Sequence, residues 1–487
     1  MQSLPKTPSG IRGLDEITGG GLPSGRPTLI CGGPGCGKTL FGIEFLIRGA
    51  LEQNEPGVLM SFEERPEDLI ANTVSLGFDV EALVQRKLMT IDFVKVERRE
   101  IQETGDYDLE GLFIRLNLAI DSIGAKRVVL DTIESLFAGL PNEALLRSEL
   151  RRLFLWLKEK GVTAIVTGEK GEGALTRHGL EEYISDCVIL LDHRVIAQVS
   201  TRRLRIVKYR GSSHGTNEYP FIIDKDGITV IPITSAGLDY PASKERISTG
   251  ISAFDDILGG AGYYRGSAVL VTGAAGAGKT TLAARFAEAA CERGERALYF
   301  GFEESPDQLV RNMSSVGMEL RRHRESDLLH FSCDRPTLVG LEAHLAGMMR
   351  QVDSFKPSVV VVDPISSFLT GSAPLDVQAM MIRLIDHLRK AGVTVLMTSL
   401  LEQSGEAMTE MHVSSIVDTW TLIQDVEVRN ERHRELYVLK SRGMKHSMRV
   451  WQFVIDDTGI SLRDGVRGVE APSRGSKAHA GASGALK

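Results

Sequence analysis

Cysteine is scarce in this chain. There are five in 487 residues, Cys31, Cys36, Cys187, Cys291 and Cys333. None stands in a CxxC pair, and so few form no disulfide framework, which points to a reducing, cytoplasmic setting. Long apolar runs are missing too. Nothing approaches the roughly 20 residues that cross a bilayer, and the opening MQSLPKTPSGIRGL has no apolar h-region. Neither a membrane span nor a secretory signal is therefore expected. A basic excess is also absent: 57 Lys and Arg stand against 64 Asp and Glu, a net charge of −7. That balance argues against nucleic acid as the main partner, while leaving room for a locally basic pore. What is present is ordinary, with 42% hydrophobic and 25% charged residues. Such usage excludes a fibrous or wholly disordered chain, and the length accommodates two to three domains of about 150 residues each.

The sequence repeats itself. GIRGLDEITGGGLPSGRPTLICGGPGCGKT (10–39) returns as GISAFDDILGGAGYYRGSAVLVTGAAGAGKT (250–280). SFEERPEDLIANTVSLGF (61–78) returns as GFEESPDQLVRNMSSVGM (301–318), VVLDTIESL (128–136) as VVVDPISSF (360–368), and VKYRG (207–211) as LKSRG (439–443). A period of this size is far beyond the roughly 20–50 residues of a solenoid unit, so it marks two complete domains. We place them at 1–240 and 241–465, with a polar linker near 233–247 and an Ala/Gly/Ser-rich tail over 466–487 that is expected to be disordered. Short β-branched runs (Thr28–Cys31, Val58–Phe62, Val128–Asp131, Val162–Thr167 and their repeats) alternate with segments of helical period such as 40–51 and 145–161. This predicts an α/β fold, each half a mostly parallel sheet flanked by helices, with the ligand beyond the carboxyl ends of the strands.

The chemistry lies in motifs that occur in both halves. Gly32–Thr39 and Gly273–Thr280 fit GxxxxGK[ST] between a strand and a helix, which is the phosphate-binding P-loop. Its glycines turn backbone N–H groups around phosphate oxygens, and the helix start adds its dipole. Gly35, Cys36, Gly37, Lys38, Thr39 and Leu40 form the first candidate ATP cradle. Gly276, Ala277, Gly278, Lys279, Thr280 and Thr281 form the second. The lysines reach phosphates, while Thr39 with Asp131 and Thr280 with Asp363 are candidate Mg²⁺ holders. Glu63–Glu64 and Glu303–Glu304 end the second strand of each half. They are candidate catalytic carboxylates, of which one in each pair faces the γ-phosphate. Lys208–Tyr209–Arg210 and Lys440–Ser441–Arg442 place two cations at i and i+2, a spacing that lets both meet one anion in their own subunit or a neighbour's.

Tandem halves that each read GxxxxGKT, FEE, VVxD and K-x-RG resemble KaiC, the duplicated RecA-like ATPase of the circadian clock family. The similarity runs from about residue 4 to about 465, and includes EYPFIIDKDGI (218–228) and the GIxxxD openings at 10–15 and 250–255. The resemblance implies two RecA-like P-loop NTPase domains in a double-ring homohexamer with ATP between subunits. It also implies trans action by Lys208, Arg210, Lys440 and Arg442, with further nucleotide contacts at Ser75, Ser212, His214 and Arg434. The N-terminal ring is then an ATPase and the C-terminal ring an autokinase.

The halves differ at one segment. RHGLEEYISDCVILL (177–191) faces MTEMHVSSIVDTWTLI (408–423), so that Glu182 and Tyr183 stand opposite Ser414 and Ser415. The second segment is similar to the family's phosphoacceptor motif, with Ser414 and Ser415 as acceptors and Thr409 upstream. Ser415 replaces the Thr of clock members. After ISLRDG (460–465) the family's tail for the KaiA activator is not recognisable, so KaiA-type activation is not expected, whereas a KaiB-like partner is compatible with the first ring. The leading expectation is an ATP-hydrolysing, autophosphorylating serine/threonine kinase. The alternatives are a DNA-dependent RecA-like motor, for which RRLRIVKYR (202–210) supplies local basic charge, and a nucleotide-gated scaffold.

Overall fold

Buried β-branched and aliphatic residues set the strands, and Gly32 and Gly273 end the two that lead into the GxxxxGKT loops. In the computed structural model, residues 4–94, 109–137, 143–171, 185–196, 199–232, 242–370, 372–401, 415–428 and 430–464 are described. The chain divides into two compact units, Met1–Asp239 with Pro336–Arg350, and Tyr240–Arg335 with Gln351–Lys487.

The first unit opens with a short pair, β1 (Lys6–Thr7) and β2 (Leu22–Pro23). Its main sheet contains β3 (Pro27–Gly32), β4 (Gly57–Ser61), β5 (Met89–Phe93), β6 (Arg127–Asp131), β7 (Thr163–Glu169), β8 (Cys187–Ile196), β9 (Val199–Tyr209), β10 (Glu218–Asp224) and β11 (Gly227–Val230). The strand order is β11-β10-β9-β8-β3-β7-β6-β4-β5. β8, β3, β7, β6, β4 and β5 run parallel, and β9 to β11 extend the sheet antiparallel. The second unit repeats the plan with β12 (Arg246–Ile247), β13 (Tyr263–Tyr264), β14 (Ala268–Gly273), β15 (Ala297–Gly301), β16 (Leu329–Cys333), β17 (Val359–Asp363), β18 (Thr394–Leu400), β19 (Thr419–Val428), β20 (Glu431–Ser441), β21 (Trp451–Asp456) and β22 (Gly459–Asp464). Its order, β16-β15-β17-β18-β14-β19-β20-β21-β22, is the same topology.

The period-2 alternation of strands builds a core on each face. From β4 and β6, Leu59 and Val129 join one core with Phe41 and Phe45 of the Lys38–Glu52 helix. Their neighbours Val58, Met60, Val128 and Leu130 join the opposite core with Leu116, Leu153 and Leu157 of the helices Glu110–Ile123 and Glu143–Glu159. Both sheets are thus two tandem RecA-like domains with their parallel strands covered on two sides. The repeated GIxxxD openings serve this scaffold. Asp15 accepts from Ser9 N at 2.9 Å and Ser9 Oγ at 2.6 Å. Asp255 accepts from Thr249 N at 2.8 Å and Thr249 Oγ1 at 2.7 Å.

Candidate functional site

Each phosphate loop leaves its strand through residues that only glycine suits. At Gly32 a Cβ would lie 2.5 Å from both Cys36 Sγ and the Leu191 carbonyl, and at Gly273 it would lie 2.3 Å from the Ile423 carbonyl. Gly37 (φ 102°) and Gly278 (φ 100°) start the helices in the left-handed region, where a side chain is strained. Gly33, Gly35 and Gly276 meet nothing within 4 Å at the Cβ position, so the loops present open backbone on that side. Lys38 Nζ donates to the carbonyls of Gly32 (2.9 Å) and Gly33 (3.1 Å). Lys279 Nζ donates to those of Gly273 (2.9 Å) and Ala274 (2.8 Å). Burial lowers the Lys279 pKa, against the pull of Asp363 and Glu303. Leu40 and Thr281 continue into the helices, and Cys36 and Ala277 pack inward, both buried.

Asp131 and Asp363, ending β6 and β17, are buried beside the loops. Thr39 Oγ1 donates to Asp131 Oδ2 at 2.8 Å, and Thr167 Oγ1 donates to Oδ1. Burial raises the Asp131 pKa, and these two hydroxyls oppose it. Asp363 takes hydroxyls from Thr398 on Oδ1 and from Tyr299 on Oδ2, the latter at 2.6 Å. Among the described residues no group of three or more His, Cys, Asp or Glu could hold a metal. One hydroxyl and one carboxylate beside a phosphate cradle is instead the sparse donor set that suits Mg²⁺, which keeps water and phosphate ligands.

The glutamate pairs part at the strand ends. Glu63 Oε1 accepts from Thr132 Oγ1 (2.8 Å) and Ser135 Oγ (2.6 Å), and Glu303 Oε1 from Ser367 Oγ at 3.0 Å. Both therefore turn toward the segment that follows the buried aspartate. Glu64 and Glu304 turn away, toward Asn72 Nδ2 (3.2 Å) and Asn312 Nδ2 (3.1 Å). Burial and then the charge of Asp131 raise the Glu64 pKa.

The cations lie at the far ends of β9 and β20. Lys208 is on its strand opposite Val188, while Arg210 lies just past the strand end, its backbone N–H on the Asp186 carbonyl at 2.8 Å. Its guanidinium is 3.9 Å from Asp186. Arg442 repeats this with Asp418 (2.8 Å), and its Nη2 donates to the Ser415 carbonyl at 2.7 Å. Lys440 loses proton affinity through burial and then the neighbouring Arg442. Between the paired cations the chain alternates: Tyr209 turns inward with its OH on the Gly21 carbonyl (2.9 Å), and Ser441 Oγ meets Thr419 Oγ1 at 3.1 Å. Ser75 caps the Pro66–Val74 helix, its Oγ on the Asn72 carbonyl at 3.2 Å. Ser212 Oγ donates to the Ser213 carbonyl at 2.8 Å, and the His214 ring stacks on Tyr209 at 6.3 Å. Arg434 Nε lies 4.0 Å from Asp425. Ser414, Thr409, Glu182 and Tyr183 lie outside the described residues.

Four residues escaped the motif reading. Thr167 and Thr398 hold the buried aspartates, and their identical place in the repeat was the available signal. Tyr299 had no such signal. Arg202 aligns with Arg434 through the K-x-RG motif; its charge acts on the Cys36 thiol, and its buried Nε has no acceptor among the described residues. A cation with an unmet donor beside a phosphate cradle fits an anionic ligand there.

Comparison with known proteins agrees with this geometry. The family model described as "ATPase: KaiC" matches residues 7–235 and again 247–465. The chain is 55% identical over 463 residues to the "Circadian clock protein KaiC2" of Synechocystis sp., covering 94% of this chain and 82% of that one. It is 37% identical to the "Circadian clock oscillator protein KaiC" of Parathermosynechococcus lividus (98% and 88% covered) and of Synechococcus elongatus (98% and 92% covered). Two P-loops, each backed by a buried aspartate and a glutamate at the neighbouring strand end, lie within the two matched stretches, and the chain belongs to the KaiC family of ATPases.

Proposed function

We propose that this chain is an ATP-hydrolysing, autophosphorylating serine/threonine kinase of circadian-clock type, with hydrolysis in the first domain and phosphoryl transfer in the second. The observation that carries it is the duplicated constellation combined with one asymmetry. Both domains have the lysine, the buried aspartate and a glutamate at the neighbouring strand end, but only the second has adjacent serines, Ser414 and Ser415, where the first has Glu182 and Tyr183. Thr409 is the third acceptor in this scheme.

In the second domain Glu303 takes the proton of a serine hydroxyl while the serine oxygen bonds to the γ-phosphorus. The bond to the bridging oxygen breaks and ADP leaves with that oxygen. Lys279 and the Lys440/Arg442 pair neutralise the charge that moves toward the leaving group. Glu304 is the alternative base. Thr280 and Asp363 would hold Mg²⁺, as Thr39 and Asp131 would in the first domain, and the ion would supply positive charge to the phosphates. In the first domain Glu63, already fixed by two hydroxyls, or Glu64 orients water instead. The reading extends to a cytoplasmic homohexamer with ATP between subunits and to a KaiB-like partner on the first ring, as the resemblance stated under Sequence analysis implies.

Phosphopeptide mapping after incubation with Mg·ATP tests the reading, using wild type, Glu303→Gln and Ser414→Ala/Ser415→Ala. Label within 409–415 that falls in Glu303→Gln is expected. Label only elsewhere would overturn the acceptor assignment, and undiminished label in Glu303→Gln would overturn the base.

A further inference from the structure

The buried aspartates of the two P-loop sites are bonded alike at one oxygen and differently at the other. In the first domain Oδ2 of the buried aspartate is bonded by the P-loop threonine itself, Thr39 to Asp131 at 2.8 Å. In the second domain the corresponding oxygen of Asp363 is bonded by the Tyr299 hydroxyl at 2.6 Å, and among the described residues Thr280 is not one of its donors. Oδ1 is satisfied equivalently in both, by Thr167 and Thr398. The repeat places Leu59 where Tyr299 stands, and both side chains are fully buried. Tyr299 comes from β15, two register positions before the partner of Asp363, and its ring packs on Phe331 at 5.6 Å.

A short hydrogen bond from a buried phenol draws charge from the carboxylate that accepts it, and fixes that oxygen in place. The first carboxylate is joined instead to the hydroxyl that would share the metal with it. We infer that Tyr299 is a positioning residue that detunes the Mg²⁺ grip of the second nucleotide site relative to the first, by competing with Thr280 and metal-bound water for Asp363 Oδ2. This rests on the reading that the second domain binds Mg·ATP. It assigns a difference in Mg²⁺ dependence between the two sites to one hydroxyl that the P-loop motif itself does not contain.

The test is an Mg²⁺ titration of binding of the fluorescent analogue mant-ATP, which needs no turnover. The full chain carries Lys38→Ala, so that the signal reports the second site. Adding Tyr299→Phe is expected to lower the half-saturating Mg²⁺ concentration about two- to tenfold, the size of one net hydrogen bond. Tyr299→Leu, which installs the residue of the first domain, should shift it the same way. In a Lys279→Ala chain, where only the first site reports, Tyr299→Phe should leave the Mg²⁺ dependence unchanged. An unchanged or higher midpoint in Tyr299→Phe would overturn the proposal. So would a shift in Leu but not in Phe, since that would make packing the cause. Absence of mant-ATP binding by the Lys38→Ala chain at every Mg²⁺ concentration would remove the second site, and the proposal with it. That result is distinguishable from binding without a midpoint shift.

Discussion

Glu63 and Glu303 occupy the same strand end but are held differently. Thr132 and Ser135 both donate to Glu63, whereas Pro364 stands where Thr132 would be and leaves Glu303 with Ser367. A base that must reach a loop hydroxyl benefits from the looser hold, and one that only orients water benefits from the tighter. Glu303→Gln is expected to reduce autophosphorylation by about 10²-fold or more, the usual contribution of a general base. Ser367→Ala should reduce it by less than about tenfold, since it removes one hydrogen bond and leaves the carboxylate. Radiolabel incorporation under single-turnover conditions reads both, and a larger loss in Ser367→Ala than in Glu303→Gln would contradict the ordering. The lysines give a count rather than a rate. Nucleotide retained after rapid desalting should approach two per chain in wild type, and one in either Lys38→Ala or Lys279→Ala.

At the scale of elements, the first domain contains a buried cation that the second lacks. Arg127, fully buried at the start of β6, donates to Glu55 at 2.7 Å and to the carbonyls of Phe45 and Pro8, each at 2.9 Å. It ties the P-loop helix and the segment before it to the sheet; the second domain has Val359 there. Arg127→Ala would strand two carbonyls and a carboxylate and should cost about 3 kcal/mol. Calorimetry should show it in the first domain's transition, and an unchanged melt would refute the tie. The P-loop helix also buries Glu44, which accepts from Ile228 N at 2.7 Å and pairs with Arg48 at 3.3 Å. Burial raises its pKa above the ordinary carboxylate value. The folded state therefore holds this proton to higher pH than the unfolded state does. Its contribution is most favourable below the unfolded pKa and falls as pH rises through the folded one. The difference in melting temperature between wild type and Glu44→Gln should shift against wild type as pH rises through that window, and a flat difference would argue against it.

At the scale of the whole molecule, the proposed homohexamer predicts complementation. Arg210 lies past the end of β9, with its half-exposed guanidinium 3.9 Å from an aspartate of its own chain. Arg210→Ala subunits supply an intact P-loop, and Lys38→Ala subunits supply an intact cation. Mixed rings should recover part of the first-ring ATPase that neither variant has alone, measured with the second ring disabled. Proven subunit exchange without recovery would count against trans action.

The sequence alone determined the duplication, the P-loops, the buried aspartates and the parallel α/β plan. Each depends on local pattern: glycine spacing, a β-branched run closed by Asp, alternation of strand and helix. The positions of Lys38, Asp131 and Glu63 were legible because their spacing is repeated at Lys279, Asp363 and Glu303. The tertiary structure decided what each carboxylate touches. Which glutamate of a pair turns toward the segment after the aspartate depends on hydroxyls some 64 to 72 residues away, at Ser367 for Glu303 and Ser135 for Glu63. Tyr299 reads in sequence as one more apolar strand residue. Only the parallel pairing of β15 with β17 brings its hydroxyl to Asp363, because a strand's side chains acquire their neighbours from the sheet rather than from the chain.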